Sequence, residues 1–371
     1  MDVKMKFICN KADFIKGLNI VNRFAYSKYQ QSILECIHIK AANNEIVMDA
    51  FDMTTAIKTR VSSIIEAEGE TAIPARVMME IVSKMPDGEI IFERQGNYIN
   101  ISGADSSANL SEMDAKQFPV FPEFKDEKNM ITLKPEVIKE AIDKTAFSVY
   151  TGDDKPIFTG LLFESNGNGE LNIVAIDGVR MARFIIEIPA DTKVKAIVPS
   201  KMMKECVRIF DDEEDIELYF SDNSCYMKNS NIDVFTRLVD DNYMDYRQLI
   251  PNSYKTRVIA NVANIEKSLE LMMVLAREDS SNVIHMSIEN SSIEMRSVSR
   301  YGTAKDKIPV KMVGDSLVIS YNAKYLLDVF KIIDDENVSI EFNGRMNSCV
   351  IKPVEGDRFL YLVVPINTSE R

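Results

Sequence analysis

Three stretches of this chain are versions of one another: TAIPARVMMEIVSKMPDGEIIFE (71–93), AIVPSKMMKECVRIFDDEEDIELYF (196–220) and VISYNAKYLLDVFKIIDDENVSIEF (318–342). Each reads as a strand end, an amphipathic helix, an acidic or Pro/Gly turn, and a second strand. Pro74 and Pro199 suit a first helical turn, and Ser200 and Asn322 suit N-caps. Met203, Val207 and Phe210 fall at i, i+4 and i+7, as do Leu326, Phe330 and Ile333, so each helix is expected to bury one stripe. Pro74 and Pro199 are 125 residues apart, and Ser200 and Asn322 are 122 apart.

A second helix repeats at the same interval. KADFIKGLNIVNR (11–23), KPEVIKEAIDKTAF (134–147) and NIEKSLELMMVLA (264–276) carry apolar stripes in which Phe14, Ile138 and Ile265 are spaced by 124 and 127 residues. Between the two helices of each copy lies an alternating segment with the pattern of a hairpin: IVMDAFDMTTAIKTRV, LNIVAIDGVRMARFII and SIEMRSVSRYGTAKDKI. The chain is therefore expected to be α+β, three copies of a two-helix, antiparallel-sheet domain. Pro residues and charge interrupt the periodicity near 121–130 and 249–257, which places the domains at 1–127, 128–252 and 253–371. In the hairpin slot, AFDMTTAI, AIDGVRMA and SVSRYGTA correspond, and only the second copy has Asp-Gly-x-Arg. An Arg placed directly after a tight turn, among apolar residues, marks the second copy as specialised.

The chemistry of an enzyme is missing. The two histidines, His38 and His285, sit in strand-like apolar runs and read as structural. No phosphate-cradling Gly-rich loop, nucleophile elbow or zinc-protease motif occurs. DDEED (211–215) occupies the slot that MPDG (85–88) and DDEN (334–337) fill in the other copies, so it reads as a solvated turn rather than a metal cluster. NGNG (166–169) reads as a hairpin turn. Five well-separated cysteines with no C-x-x-C pair indicate buried thiols in a reducing cytoplasm. No run is long enough for a membrane helix, and MDVKMKFICN lacks the pattern of a signal peptide. Neither catalysis, metal nor cofactor is expected.

Net charge of −13 argues against nucleic-acid binding, until the charges are located. Over the helical spans 10–23, 73–88, 134–149, 199–210, 261–277 and 321–333 the balance is +5, which leaves −18 on the rest. The helices are the basic part of an acidic protein.

Taken together, the triplication, FTGLLFE (158–164), VAIDGVRMA (174–182), DNYMDYRQLIP (241–251), YNAKYLLDVF (321–330) and YLVVPI (361–366) resemble the bacterial sliding-clamp family, the β subunits of DNA polymerase III. The resemblance spans essentially the whole chain. It implies the DNA clamp fold and a head-to-tail homodimer, a six-domain ring with sheets outside and helices lining a hole for duplex DNA. Implied partners are a second copy, DNA without sequence preference, the DNA polymerase III α subunit, the clamp loader and other clamp-binding proteins. No membrane is implied.

In that family, partner peptides with apolar and aromatic anchors enter a groove on the second and third domains. The positions that match it here are Phe158, Ile176, Gly178, Val179, Arg180, Met181, Met244, Gln248, Leu249, Asn322, Tyr325, Leu362, Val363, Val364, Pro365 and Ile366. Gly178 would allow the positive φ of the turn, and Arg180 would stand at the rim as a donor to the peptide. Lys28 and Lys155 match basic loop residues facing DNA, and Arg23 and Lys201 are helix cations of the same kind. Leu110 and Leu275 match the dimer edges. The chain departs from the pattern at Val179, where His or Tyr is common, at Met244 for a Pro and at Gln248 for an Arg. It also runs on as NTSER, a tail expected to reach toward the groove.

Overall fold

Alternating strands and amphipathic helices organise the chain into two compact units, residues 1–136 with 201–238, and residues 137–200 with 239–371. The computed structural model describes residues 5–25, 32–122, 130–210, 214–278 and 282–367. Lys28, the first half of the DDEED turn and all of the NTSER tail beyond Asn367 lie outside them.

The first unit holds an eight-stranded sheet in the order Met130–Leu133, Ile216–Phe220, Ser224–Lys228, Ile232–Arg237, Thr55–Ser62, Glu45–Phe51, Cys36–Ala42 and Gly69–Pro74. It also holds a five-stranded sheet, Ile64–Ala67, Lys6–Asn10, Glu89–Gln95, Tyr98–Gly103 and Ser106–Ser111. The second unit has a nine-stranded sheet running Lys193–Pro199, Gly160–Asn166, Glu170–Ile176, Arg180–Glu187, Phe359–Val363, Cys349–Pro353, Asn337–Phe342, Thr256–Asn261 and Lys311–Gly314. Its four-stranded sheet is Gly302–Pro309, Ser292–Ser299, Val283–Glu289 and Leu317–Asn322.

All three hairpins occur where alternation predicts them, and so does the NGNG turn, with Gly167 and Gly169 both at φ +83°. Compact units and sequence repeats divide the chain differently. The middle copy sends four strands into a sheet with the first copy, joined where Thr236 faces Thr55. It sends four others into a sheet with the third, joined where Val363 faces Arg180. Backbone hydrogen bonds thus run unbroken across each repeat boundary.

Helices form where the apolar stripes predict, with differences at their ends. Asn322 caps Ala323–Phe330, its side chain accepting from the Lys324 amide. Ser200, by contrast, is the first residue of Ser200–Ile209 rather than its cap, and Pro74 and Pro199 each close a strand one position before a helix. Proline's fixed φ fits extended backbone as well as a first turn. In Ser200–Ile209 the buried stripe is Met202, Met203, Cys206 and Ile209, continued by Phe210, while Val207 is half-buried. Helix Lys11–Val21 lies so close to its sheet that a Cβ on Gly17 would sit 2.5 Å from Met48 Cε and 2.8 Å from Val61 Cγ2.

Two helix cations do not face solvent. Lys11 is buried and donates to Met85 O and Asp87, and Lys144 is buried and donates to Ile332 O and Asp334. The exposed positive charge of the helices is smaller than their composition suggests. His38 bonds Asp49 at 2.7 Å and stacks on Phe118, and His285 meets Ser320 Oγ at 2.8 Å, both structural roles.

All five cysteines are free and buried. Burial pushes the Cys36 thiol up to about 11 and those of Cys9 and Cys349 up to about 12, so thiolate is scarce near neutrality. Native protein at pH 8 should therefore leave a thiol-specific disulfide reagent unreacted for minutes, and denatured protein should release five equivalents.

Candidate functional site

The AIDGVRMA turn is built by one aspartate. Asp177 Oδ1 accepts from the amides of Val179 and Arg180, each at 3.0 Å, and the Asp177 amide bonds Arg180 O at 3.2 Å. Gly178 adopts φ +100°, so it supplies the positive φ of the turn. The first copy uses the same device: Asp52 Oδ1 accepts from Thr54 and Thr55, and Met53 takes φ +74°.

Beneath the turn lies an apolar cluster of Leu162, Val174, Ile176, Met181, Ile197, Tyr243, Tyr246, Val350, Leu360 and Leu362, flanked by Ile157, Phe158, Val239, Leu249 and Ile250. The structure thus brings the sequence-predicted Phe158, Ile176, Met181, Leu249 and Leu362 into one patch. Phe158 meets Tyr243 edge-on, with centroids 6.0 Å apart. The C-terminal segment forms an adjoining wall. The Val364 amide bonds Val179 O at 2.9 Å and the Ile366 amide bonds Ser320 O at 2.8 Å. Val179, Met244 and Val364 remain about two-fifths exposed, which leaves apolar surface for a partner. Val363 is buried, Pro365 and Ile366 are half-buried, and Asn322 spends its side chain on the helix cap. Gln248 is exposed and donates to Asp245.

Arg180 differs most from expectation. It is 9% exposed, not a rim group. Its Nε donates to Asp177 at 2.8 Å, Nη1 to Asp328 at 2.7 Å and Nη2 to Phe147 O at 2.9 Å, and the guanidinium lies 4.5 Å from the Tyr325 ring centroid. Burial is the largest influence on its pKa and lowers it, but Asp328, Tyr361 and Asp177 together outweigh burial, so the net shift is upward. Once buried, the fork satisfies its donors inside the protein. The i, i+3 spacing to Asp177 was visible in sequence, whereas Asp328 lies 148 residues away with no local signal.

A second arginine seats the linker that carries Met244, Gln248 and Leu249. Arg247 Nη2 reaches Glu164 at 2.6 Å, and its guanidinium lies 4.6 Å from the Tyr246 ring centroid. Burial pushes the Tyr246 hydroxyl up to about 12. Glu164 is buried, so Arg247→Ala would leave its charge facing the more distant Lys195 Nζ at 3.9 Å. We expect a loss of about 1–2 kcal/mol in denaturant unfolding, less than for a fully buried pair because Arg247 is half exposed.

Strand register shows how the matching face of the first unit differs. Gly160 faces Pro199 as Cys36 faces Pro74, and Ile176 faces Met181 as Phe51 faces Ala56. By this register Leu162, Val174 and Leu360 correspond to His38, Asp49 and Asp233 in the first unit. There these three positions are polar, and the apolar remainder of the face, Phe51, Ala56 and Phe235, is covered by Phe118, Phe121 and Ile33 of the same unit. Phe118 stacks on His38 at 5.3 Å, and Lys58 Nζ lies 4.0 Å from the Phe121 ring centroid.

The other predicted positions are scattered. Lys155 is exposed, with its Nζ 5.5 Å from the Tyr150 ring centroid, and Lys201 is exposed on its helix. Arg23 is tied to Glu205 at 2.8 Å, and Glu205 also binds Arg208. Leu110 lies on an open edge strand but is 8% exposed, and Leu275 is half-buried. The outward apolar residues of helix Val262–Ala276 are instead Leu271 and Val274, near half exposed and one turn apart.

Family models described as the N-terminal, central and C-terminal domains of the DNA polymerase III beta subunit match residues 5–122, 132–245 and 247–367. A beta sliding clamp of Staphylococcus epidermidis is 30% identical over 377 residues, 98% of this chain and 100% of that protein. A DNA polymerase sliding clamp of Bacillus subtilis superposes with a TM-score of 0.95 at 27% identity, covering 98% of this chain and 100% of the other. The DNA polymerase III beta chain of Streptococcus pneumoniae gives a TM-score of 0.94 at 26% identity with the same coverage.

Proposed function

We propose, on the premise that the chain belongs to the DNA polymerase III beta subunit family, the beta sliding clamps, that two copies close head to tail around duplex DNA and offer the groove beside Arg180 to partner proteins. The processivity role follows from that family, whose members are non-catalytic, and we read this chain as non-catalytic, cytoplasmic and without a cofactor. Among the described residues no helix is long and apolar enough to cross a membrane. The three domains are 1–127, 128–252 and 253–371.

One observation carries the ring. Among the described residues the five-stranded sheet ends in an unpaired edge, Ser106–Ser111, and the four-stranded sheet ends in another, Gly302–Pro309. An open edge of N–H and C=O groups is a template for another strand. Pairing the first edge of one copy with the second edge of the next completes a sheet like those within the chain, and two such joints close a dimer. Helix Val262–Ala276 packs on strand Gly302–Pro309 and would set Leu271 and Val274 beside the joint.

DNA would be held by exposed helix and loop cations, with Lys155, Lys201, Arg23 and Lys28 as candidates. Such contacts are salt-dependent and read no sequence. The partners are the α subunit of the polymerase, the clamp loader and other proteins with apolar-anchored peptides. Sedimentation should give twice the 42.1 kDa chain mass, and Leu271→Glu with Val274→Glu should give monomer. A wild-type monomer at micromolar concentration would refute the ring.

A further inference from the structure

Arg180 sits in the groove yet presents none of the three donors described above to solvent. It joins three separate segments of the second unit. Asp177 belongs to the hairpin whose Val179 forms one wall. Asp328 belongs to helix Ala323–Phe330, which carries Tyr325. Phe147 lies in the turn Ala146–Ser148 that follows helix Pro135–Thr145. Tyr361 is also drawn in, since its hydroxyl donates to Tyr325 O at 2.9 Å and its ring stacks on Phe147.

The first unit provides an internal control. By strand register the counterpart of Arg180 is Thr55, whose hydroxyl meets the Thr236 hydroxyl at 3.2 Å. The hairpin there is built by the same aspartate turn without any buried cation. An arginine is thus not needed to make the turn. What it adds in the second unit is the tie from the turn to the helix.

We propose that Arg180 is a positioning residue: acting with Asp328, it fixes the spacing between the hairpin wall and the Tyr325 helix, and thereby sets the groove's affinity without touching the bound peptide. This rests on the reading of the surface as the partner groove. Five donors in a rigid plane suit such a strut, and Lys, a single point charge, does not. A wall that shifts by a fraction of an ångström alters the fit of every anchor beyond it.

The test is a titration of the full-length dimer with a fluorescent peptide bearing leucine and phenylalanine anchors, as free acid and as amide. Wild type, Arg180→Lys, Asp328→Asn and the double variant are compared. Each single change should weaken binding about tenfold, as expected for one lost charge-assisted hydrogen bond. The double variant should be no weaker than either single, and amidation should change affinity equally in all four. Ile288→Val, in the buried core away from the groove, should lower the melting temperature and leave affinity unchanged, which separates positioning from general loss of stability. Wild-type affinity in Asp328→Asn, or an effect of amidation that vanishes only with Arg180→Lys, would overturn the proposal and make Arg180 a direct ligand. Absence of binding to wild type would instead overturn the groove itself.

Discussion

A protein ending at Val363 should lose peptide binding and remain a folded dimer. Residues 364–366 contribute exposed Val364, half-buried Pro365 and Ile366, and two backbone hydrogen bonds, to Val179 O and Ser320 O. Losing those bonds costs about 1 kcal/mol each, small beside the core of the second unit. The cut spares Leu362 and Val363, which are buried in the sheet and pair with Val350 and Cys349. For binding the change is larger. Removing one wall of an apolar pocket typically costs about 2–4 kcal/mol where anchors seat, a loss of about thirtyfold to a thousandfold. Fluorescence anisotropy with the peptide, alongside sedimentation and a thermal melt, separates the two effects. Unchanged affinity would place the partner site elsewhere on the molecule.

The periodicities that betray local structure were open to inspection in the sequence, and the long-range pairings were not. Apolar stripes at Phe14, Ile138, Ile265 and Leu326 locate helices because a helix must bury one face, whatever its partner. Asp-Gly between alternating runs locates the hairpin for an equally local reason. Nothing local says that Ile232–Arg237 adds to the first copy's sheet or that Phe359–Val363 adds to the second's, and that pairing decides the compact units.

The same limit applies to the groove. Its apolar members could be carried over by resemblance, and five of them converge. The inward turn of Arg180 could not be read, because it depends on Asp328 and on a carbonyl from the turn at Phe147. Lys11 and Lys144 mislead for a related reason: a cation on a helix face counts as surface charge until the turn it caps is known. The contrast between Leu162, Val174 and Leu360 and their counterparts His38, Asp49 and Asp233 is plain in the letters, but only once the strand register has aligned them.

Encirclement is the central claim, and its physics differs from that of ordinary DNA binding. The chain carries −13 overall, and part of its helix charge is consumed internally, so direct attraction to phosphate is weak and falls steeply with salt. Retention must then come from topology, since a closed ring cannot leave a closed circle however weak its contacts, whereas a free end releases it by sliding. The decisive measurement loads labelled protein onto nicked circular DNA with a clamp loader, raises the salt, and follows protein and DNA through gel filtration before and after a single restriction cut. Nearly all the loaded protein should travel with the intact circle and nearly none with the linear product. Equal retention on both forms, or release from the intact circle at high salt, would contradict a ring around DNA.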